Sequence, residues 1–221
     1  MAIPVPEKRV KDFEEMGFGM FVHWGLYALL GQGEWARYLR KIPKEEYAKL
    51  ADDFTVTKFD GRELARIAKR AGAKYITLTT RHHDGFSLYD TMGLDDFDAP
   101  HSAAKRDLIR EFVDACREYG IKPGIYLSPW DRHEPTWGSD DYNDFYVGQL
   151  TELLTNYGDI FLMWFDTPYD MPLELCRELA ETVHTLQPKC LINGRIGYGL
   201  GDYICAGDNC MPARPWTKAW E

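Results

Sequence analysis

Short apolar runs alternate with helix-like patterns along the whole chain. The runs that predict strands buried on both faces are residues 18–24, 74–80, 121–128, 159–165 and 190–193. The fourth of these runs ends in "FLMWF" and is followed at once by a charged residue, Asp166. A carboxylate placed directly after a buried strand needs a structural or a chemical reason.

Between these runs, apolar residues recur with the spacing of amphipathic helices. Segments 59–72 and 102–120 each place their apolar residues on one face, and each closes on a glycine suited to a helix C-terminus. Two further helices are predicted at 142–157 and 173–186, and prolines flank the second of them. The alternation of strands and helices indicates parallel β/α units within a single domain.

Polar and aromatic residues follow four of the predicted strands. They are His23 and Trp24 after the first strand, His82, His83 and Asp84 after the second, Trp130, Asp131, His133 and Glu134 after the third, and Asp166 after the fourth. In a β/α barrel the carboxyl ends of the strands converge on one face, where ligands bind and chemistry occurs. We therefore expect a rigid, partly desolvated Asp166 to point into a common pocket.

The residue types in this predicted pocket suit a sugar. Aromatic rings stack on the apolar faces of a sugar, whereas His, Asp, Glu and Arg side chains bond to its hydroxyl groups. The loop after the first strand adds Glu34 and Trp35, and the segment after the fifth strand adds Arg195. Two carboxylates around a pyranose are what glycoside hydrolysis requires, and Asp166 is the first candidate.

Each of these residues also fits a simpler role. Trp164 fits a core position, and Asp166 fits the N-cap of the segment that follows it. Adjacent residues on a regular strand point to opposite faces, so only one of His82 and His83 is expected in a pocket unless the chain bends. The same argument disfavours a metal-dependent hydrolase built on this pair, which also lacks HxH or HExxH spacing.

Composition excludes other classes of partner. The 221 residues carry a net charge of −9, and no dense run of Lys and Arg is present that could follow a phosphate backbone. No apolar run reaches membrane-spanning length, and the first residues lack the apolar core of a signal peptide. We expect a cytoplasmic, soluble protein without nucleic-acid or membrane partners.

Four motifs make the sequence recognisable. The stretches "GMFVHWGLYALLGQGEWARY", "AKYITLTTRHHDGFSLYDT", "KPGIYLSPWD" and "DIFLMWFDT" resemble, in order and spacing, the motifs of family 29 glycoside hydrolases, the α-L-fucosidases. The resemblance implies a (β/α)8 barrel that hydrolyses terminal α-L-fucose from glycosides with retention of configuration. It also implies that Asp166 attacks the anomeric carbon to form a covalent fucosyl-enzyme, and that no metal or cofactor is needed.

The same matching implies a set of sugar-binding residues. Together with Trp24 from the end of the first strand, the expected substrate-binding residues are His23, Glu34, Trp35, His82, His83, Tyr126, Trp164 and Arg195.

The general acid/base is the point at which this chain departs from the family pattern. Many members have a glutamate where this chain has Gly207, which is followed by Asp208. We expect Glu221 to take the role, with Glu34 and Asp208 as alternatives. Without any proton donor, the protein would instead be a catalytically impaired fucose-binding domain.

Length is a second departure. A (β/α)8 barrel has eight strands and about 250 residues, whereas five strands are convincing here. Family members continue with further barrel elements and a β-rich domain, so we expect residues 1–221 to form one catalytic domain without a separate C-terminal β-domain. We predict an α/β fold of the (β/α)8 type, a TIM-like barrel that is incomplete or completed by oligomerisation. Unpaired strand edges and uncovered apolar surface favour a homo-oligomer.

Overall fold

Five short strands form one open parallel sheet. The computed structural model describes residues 7–166, 171–208, 210 and 219. The strands are β1 Gly19–Val22, β2 Tyr75–Arg81, β3 Lys122–Leu127, β4 Leu162–Phe165 and β5 Leu191–Ile192. Their order in the sheet is the order in the chain, and each pairs in parallel with the next. All five predicted strands are therefore confirmed.

Helices connect the strands and cover the convex face of the sheet. They are α1 Lys8–Met16, α2 Ala36–Leu39, α3 Lys44–Ala48, α4 Gly61–Arg70, α5 Leu108–Tyr119, α6 Asp140–Asn156 and α7 Leu173–Leu186. The four predicted helices are α4 to α7. Helix α5 begins later than its pattern suggests because the Asp107 side chain accepts a hydrogen bond from the Arg110 backbone N–H and so caps the helix.

Alternation along the strands separates two apolar clusters. On β4, Met163 and Phe165 pack into the large core under the helices, whereas Leu162 and Trp164 face the concave side. Helix α1 covers one end of the concave side, where the Phe13 ring lies 5.8 Å from that of Tyr75. The opposite end, at the carboxyl ends of the strands, is left for other side chains.

The sheet does not close into a barrel within the residues that the structure describes. There, β1 pairs only with β2 and β5 only with β4, so the strands form an arc with two edges. The expectation of an α/β fold with an incomplete barrel is confirmed, whereas completion by oligomerisation stays a prediction. No helix in the described part of the chain is long and apolar enough to cross a membrane.

A buried ion pair ties the carboxyl ends of β2 and β3 together. Arg81, the last residue of β2, is fully buried and donates to the Oδ2 atom of Asp131 at 2.6 Å and to the Ser128 carbonyl oxygen at 2.6 Å. Asp131 also accepts from the backbone N–H groups of His133 and Glu134. These bonds hold the loop after β3 against the end of β2.

Candidate active site

Asp166 lies at the carboxyl end of β4 and is held by two neighbouring side chains. Its Oδ2 atom accepts a hydrogen bond from the Tyr126 hydroxyl at 2.8 Å, and its Oδ1 atom accepts from Arg195 Nη1 at 2.8 Å. The Nε2 atom of His83 lies 3.4 Å from Oδ2. Asp166 is 7% exposed, so protein groups orient its carboxylate and a small part of the residue remains accessible.

The backbone immediately before Asp166 is also held. The buried side chain of Asn193, which follows β5, accepts from the Phe165 backbone N–H and donates to the Phe165 carbonyl oxygen, both at 2.8 Å. Helix α7 begins at Leu173 with Pro172 at its N-cap, so Asp166 is not the cap of that helix. The interpretation of Asp166 as a cap of the segment immediately after it falls on residues 167–170, which lie outside the described residues.

His82 and His83 both lie at the concave edge, contrary to the expectation from strand alternation. Strand β2 ends at Arg81, where its register with β3 shifts, and the chain then turns through Gly85 with φ +86°. A Cβ atom on Gly85 would lie 2.3 Å from Asp131 Oδ1, so the turn requires glycine. The two imidazole rings lie 4.2 Å apart between their centroids.

Aromatic rings form the floor of this edge. Tyr126 stacks on His82 at 5.5 Å and on Trp164 at 5.5 Å, and the His23 ring lies 5.7 Å from it. The Arg195 guanidinium lies 5.0 Å above the Trp164 ring. Tyr126 and Trp164 stack on each other because they are paired residues on the adjacent strands β3 and β4.

The loop after β1 supplies one wall. Trp35 lies 4.9 Å from the His83 ring and 6.3 Å from the His82 ring. Glu34 is half-buried, and its carboxylate is close enough to His23 to oppose the lowering of the His23 pKa by desolvation. The structure therefore places Glu34 and Trp35 of the "GEWARY" motif near the histidines.

Trp24 is the one substrate-binding candidate that the structure directs elsewhere. Its ring stacks on Phe59 at 4.9 Å and lies 5.4 Å from Phe54, within the core under the helices. Adjacent residues of an extended segment point to opposite sides, so Trp24 turns away from the edge that His23 faces. Its position is that of a core residue.

Of the three candidates for the general acid/base, the structure describes Glu34 and Asp208. Glu221 lies outside the described residues. Asp208 follows Gly207 and is mostly exposed, and its carboxylate accepts a hydrogen bond from Arg195 Nη2. Arg195 therefore bonds to Asp166 and to Asp208 at the same time and brings a second carboxylate to the site.

Burial sets the protonation of the site at neutral pH. Desolvation lowers the pKa of His83 to about 4 and holds the pKa of His82 well below its ordinary value. Burial, reinforced by the Asp166 charge, raises the pKa of Tyr126 well above its ordinary value. The imidazoles are therefore neutral and the tyrosine remains a hydrogen-bond donor.

Two imidazole nitrogens of the site have no hydrogen-bond partner in the described part of the chain. Among the described residues, His82 Nδ1 and His83 Nε2 are buried without a hydrogen-bond partner. One nitrogen of each imidazole and one Asp166 oxygen lie within 4.8 Å of one another, a spacing that could also hold a metal ion. The sequence argument against a metal site, which relied on opposite-facing histidines, does not hold in this structure.

Sequence reasoning missed residues that position the site. Ser128 lies 2.5 Å from His83 Nδ1 and orients that imidazole, as Asn193 orients the end of β4. Both are the polar last residues of predicted strands, at "YLS" and "LIN", and that position was the available signal. In contrast, Asp84 bonds to Tyr47 and the His133 ring stacks on Phe97, so these two strand-end residues support loops.

The fold and the site together define a class of protein. A parallel β/α sheet presents, at the carboxyl ends of its strands, an oriented carboxylate surrounded by aromatic rings, neutral imidazoles and an arginine. This is the arrangement of a barrel-type glycoside hydrolase domain. The sequence model of the alpha-L-fucosidase family matches residues 5–221, and the chain belongs to that family.

Individual relatives agree with this assignment. The chain is 32% identical to alpha-L-fucosidase 1 of Arabidopsis thaliana over 98% of its own length and 43% of the relative's. Alpha-L-fucosidase isoenzyme 1 from Paenibacillus thiaminolyticus superposes with a TM-score of 0.85 at 38% identity, covering 90% of this chain and 55% of that one. The chain thus spans about half the length of these relatives.

A third relative has been solved with ligands. Alpha-L-fucosidase AlfC from Lactobacillus casei, in complex with alpha-L-fucose product, superposes with a TM-score of 0.83 at 33% identity, covering 92% of this chain and 75% of that one. A structure of AlfC also contains Fuca(1,6)GlcNAc.

The pKa of His83 predicts a pH dependence of stability. In the unfolded chain a histidine has a pKa of about 6.5, so below that pH the unfolded state binds more protons than the folded state. The contribution of neutral His83 is therefore present above pH 6.5 and is lost as the pH falls towards 4. A His83→Asn variant should lose less of its urea midpoint between pH 7 and pH 4.5 than the unchanged chain.

His101 offers a control of opposite sign. Its hydrogen bond to Asp98 raises its pKa, so it stabilises the folded state as the pH falls, and His101→Asn should steepen the loss. If the urea midpoints of the unchanged chain and of His83→Asn fell by the same amount between pH 7 and pH 4.5, the assignment of a neutral His83 would be contradicted.

Proposed function

We propose that this chain is the catalytic domain of a retaining α-L-fucosidase. The observation that carries the proposal is Asp166, oriented by Tyr126 and Arg195 at the edge where the strand ends converge. The proposed substrate is a glycoside or oligosaccharide ending in α-L-fucose. AlfC, which has been solved with fucose and with a fucosylated GlcNAc, supports this choice.

In the proposed reaction, Asp166 is the nucleophile. One carboxylate oxygen attacks the anomeric carbon, the glycosidic bond breaks, and a covalent fucosyl-enzyme forms while an acid protonates the leaving oxygen. Water then attacks the same carbon and releases fucose. Tyr126 and Arg195 use only part of the lone-pair capacity of the carboxylate, so an oxygen remains free to attack.

The proposed sugar-binding roles rest on the unused hydrogen-bonding groups and the aromatic rings of the site. The unpartnered nitrogens of His82 and His83 suit hydroxyl groups of fucose, because neutral imidazoles donate and accept hydrogen bonds. The rings of Trp35 and Trp164 suit its apolar surface. His23, Glu34, Tyr126 and Arg195 complete the proposed binding set, which excludes Trp24.

We assign the general acid/base to Glu221. Asp208 is supported as a competing candidate by its contact with Arg195, and Glu34 by its proximity to His23. A retaining mechanism requires the acid/base carboxyl group to lie about 5–5.5 Å from the nucleophile. Only one of the three carboxylates can fill this role.

The remaining proposals concern the protein as a whole. We propose that residues 1–221 act as one catalytic domain in the cytoplasm, without a cofactor, and that copies of the chain associate. The two edges of the five-stranded sheet support self-association, because unpaired strands readily pair with another chain.

Replacing Asp166 by Gly should abolish release of 4-nitrophenol from 4-nitrophenyl α-L-fucoside, because no covalent intermediate can form. Added azide should restore turnover and yield fucosyl azide, since azide occupies the space of the lost carboxylate. Asp159→Gly, at the other end of the same segment, is the control and should leave activity unchanged. Full activity of Asp166→Gly would refute the assignment, and activity abolished by EDTA would favour the metal-dependent reading.

The acid/base is found by comparing leaving groups in Glu221→Gln, Asp208→Asn and Glu34→Gln. Loss of the acid should lower turnover of Fuca(1,6)GlcNAc by about 10²–10⁴-fold, yet spare formation of the fucosyl-enzyme from an aryl fucoside, whose leaving group needs little protonation. The Glu221 variant should show this split. If another variant shows it, the role passes to that carboxylate, and an unchanged chain that cleaves only the aryl fucoside would match the catalytically impaired alternative.

Self-association is tested by sedimentation velocity at micromolar concentration. Burial of the exposed strand edges should give a species larger than one 25.6 kDa chain. A single monomeric species across the concentration range would contradict the proposal.

A further inference from the structure

A groove of about 790 Å³ lies beside the proposed fucose site, and none of the roles assigned so far uses it. Its walls include Tyr38, Trp130, Arg132 and Trp137, which come from helix α2 and from the loop after β3. The volume falls within the range of ligand pockets, about 300–1,000 Å³.

Trp130 is the wall that the groove shares with the proposed fucose site. Its ring lies 5.3 Å from His83 and 6.2 Å from Trp35, which both belong to that site. His83 in turn lies 3.4 Å from Asp166. A group attached to the anomeric carbon of a fucose held at Asp166 is therefore within reach of the groove.

The groove exposes aromatic rings together with a hydrogen-bond donor. Trp137 is 46% exposed and Tyr38 is 53% exposed, and the Trp130 and Trp137 rings meet edge to face at 6.4 Å. Arg132 lines the groove, and its guanidinium lies over the Tyr38 ring at 4.3 Å. Exposed rings beside a polar donor suit a ligand with both apolar faces and hydroxyl groups.

The loop that carries these groups is rigidly held. Ser128 bonds to both the N–H and the carbonyl oxygen of Trp130, and Asp131 is anchored on buried Arg81. Arg37 Nη2 donates to the Arg132 carbonyl oxygen at 2.7 Å. A preordered surface of this kind binds a ligand without the entropic cost of ordering the loop.

We propose that this groove is the leaving-group subsite of the enzyme and binds a pyranose sugar to which fucose is linked. The inference rests on the proposed function, which places fucose at Asp166. One face of the second sugar packs on Trp137 and Tyr38, and one of its hydroxyl groups accepts a hydrogen bond from the Arg132 guanidinium. The groove thus selects glycosides with a sugar as the leaving group.

The test compares a substrate that fills the groove with one that does not. α-L-Fucosyl fluoride has no sugar leaving group, whereas disaccharides of fucose α-linked to galactose or to N-acetylglucosamine do. The probe is the disaccharide that the unchanged chain cleaves with the highest kcat/KM. Trp137→Ala should lower kcat/KM for that disaccharide by about tenfold and change that for fucosyl fluoride by less than about twofold.

Two further variants control for indirect effects. Trp137→Phe keeps a ring in place and should recover part of the loss. Met92→Ala removes a similarly exposed apolar side chain, 66% exposed and outside the groove, and should change neither substrate.

Each other outcome overturns the inference in a recognisable way. An equal fall for both substrates, no fall for either, or turnover of fucosyl fluoride without cleavage of any disaccharide would refute the subsite while leaving the fucosidase proposal intact. Failure of the unchanged chain to hydrolyse fucosyl fluoride would refute the proposed function, and this inference with it.

Discussion

The hydrogen bond from Tyr126 to Asp166 is the interaction on which the candidate site depends. It joins the ends of two adjacent strands whose parallel register places Tyr126 beside Trp164, so the carboxylate meets a stacked aromatic floor. Arg195 binds the other oxygen of Asp166 and carries the contact onward to Asp208. The short strands thus act as a frame that aligns side chains contributed by distant parts of the chain.

Much of this frame could be predicted from the sequence, because its signals are local. Buried runs and amphipathic spacing indicated all five strands and the four main helices, and strand-end positions indicated Asp166 and Arg195. The failures are equally local. Strand alternation separated His82 from His83, whereas a register shift and a glycine turn bring them together. The same alternation, applied to Trp24, would have placed it in the core.

What could not be predicted depends on pairing between residues far apart in sequence. Arg81 and Asp131 are separated by 50 positions and form a buried ion pair that no local pattern indicates. It holds the loop after β3, and through that loop Trp130 and Ser128 reach His83. The Arg81–Asp131 ion pair therefore supports both the proposed fucose site and the neighbouring groove.

The most direct test of the account is to trap its covalent intermediate. A 2-deoxy-2-fluoro fucosyl fluoride should react with the chain, because fluoride leaves readily whereas the 2-fluoro group slows hydrolysis of the fucosyl-enzyme. Mass spectrometry should then show one added fluorofucosyl group per chain, on the peptide that contains Asp166. A label on another residue, or no label on a chain that still cleaves fucosides, would contradict the assignment of Asp166 as the nucleophile.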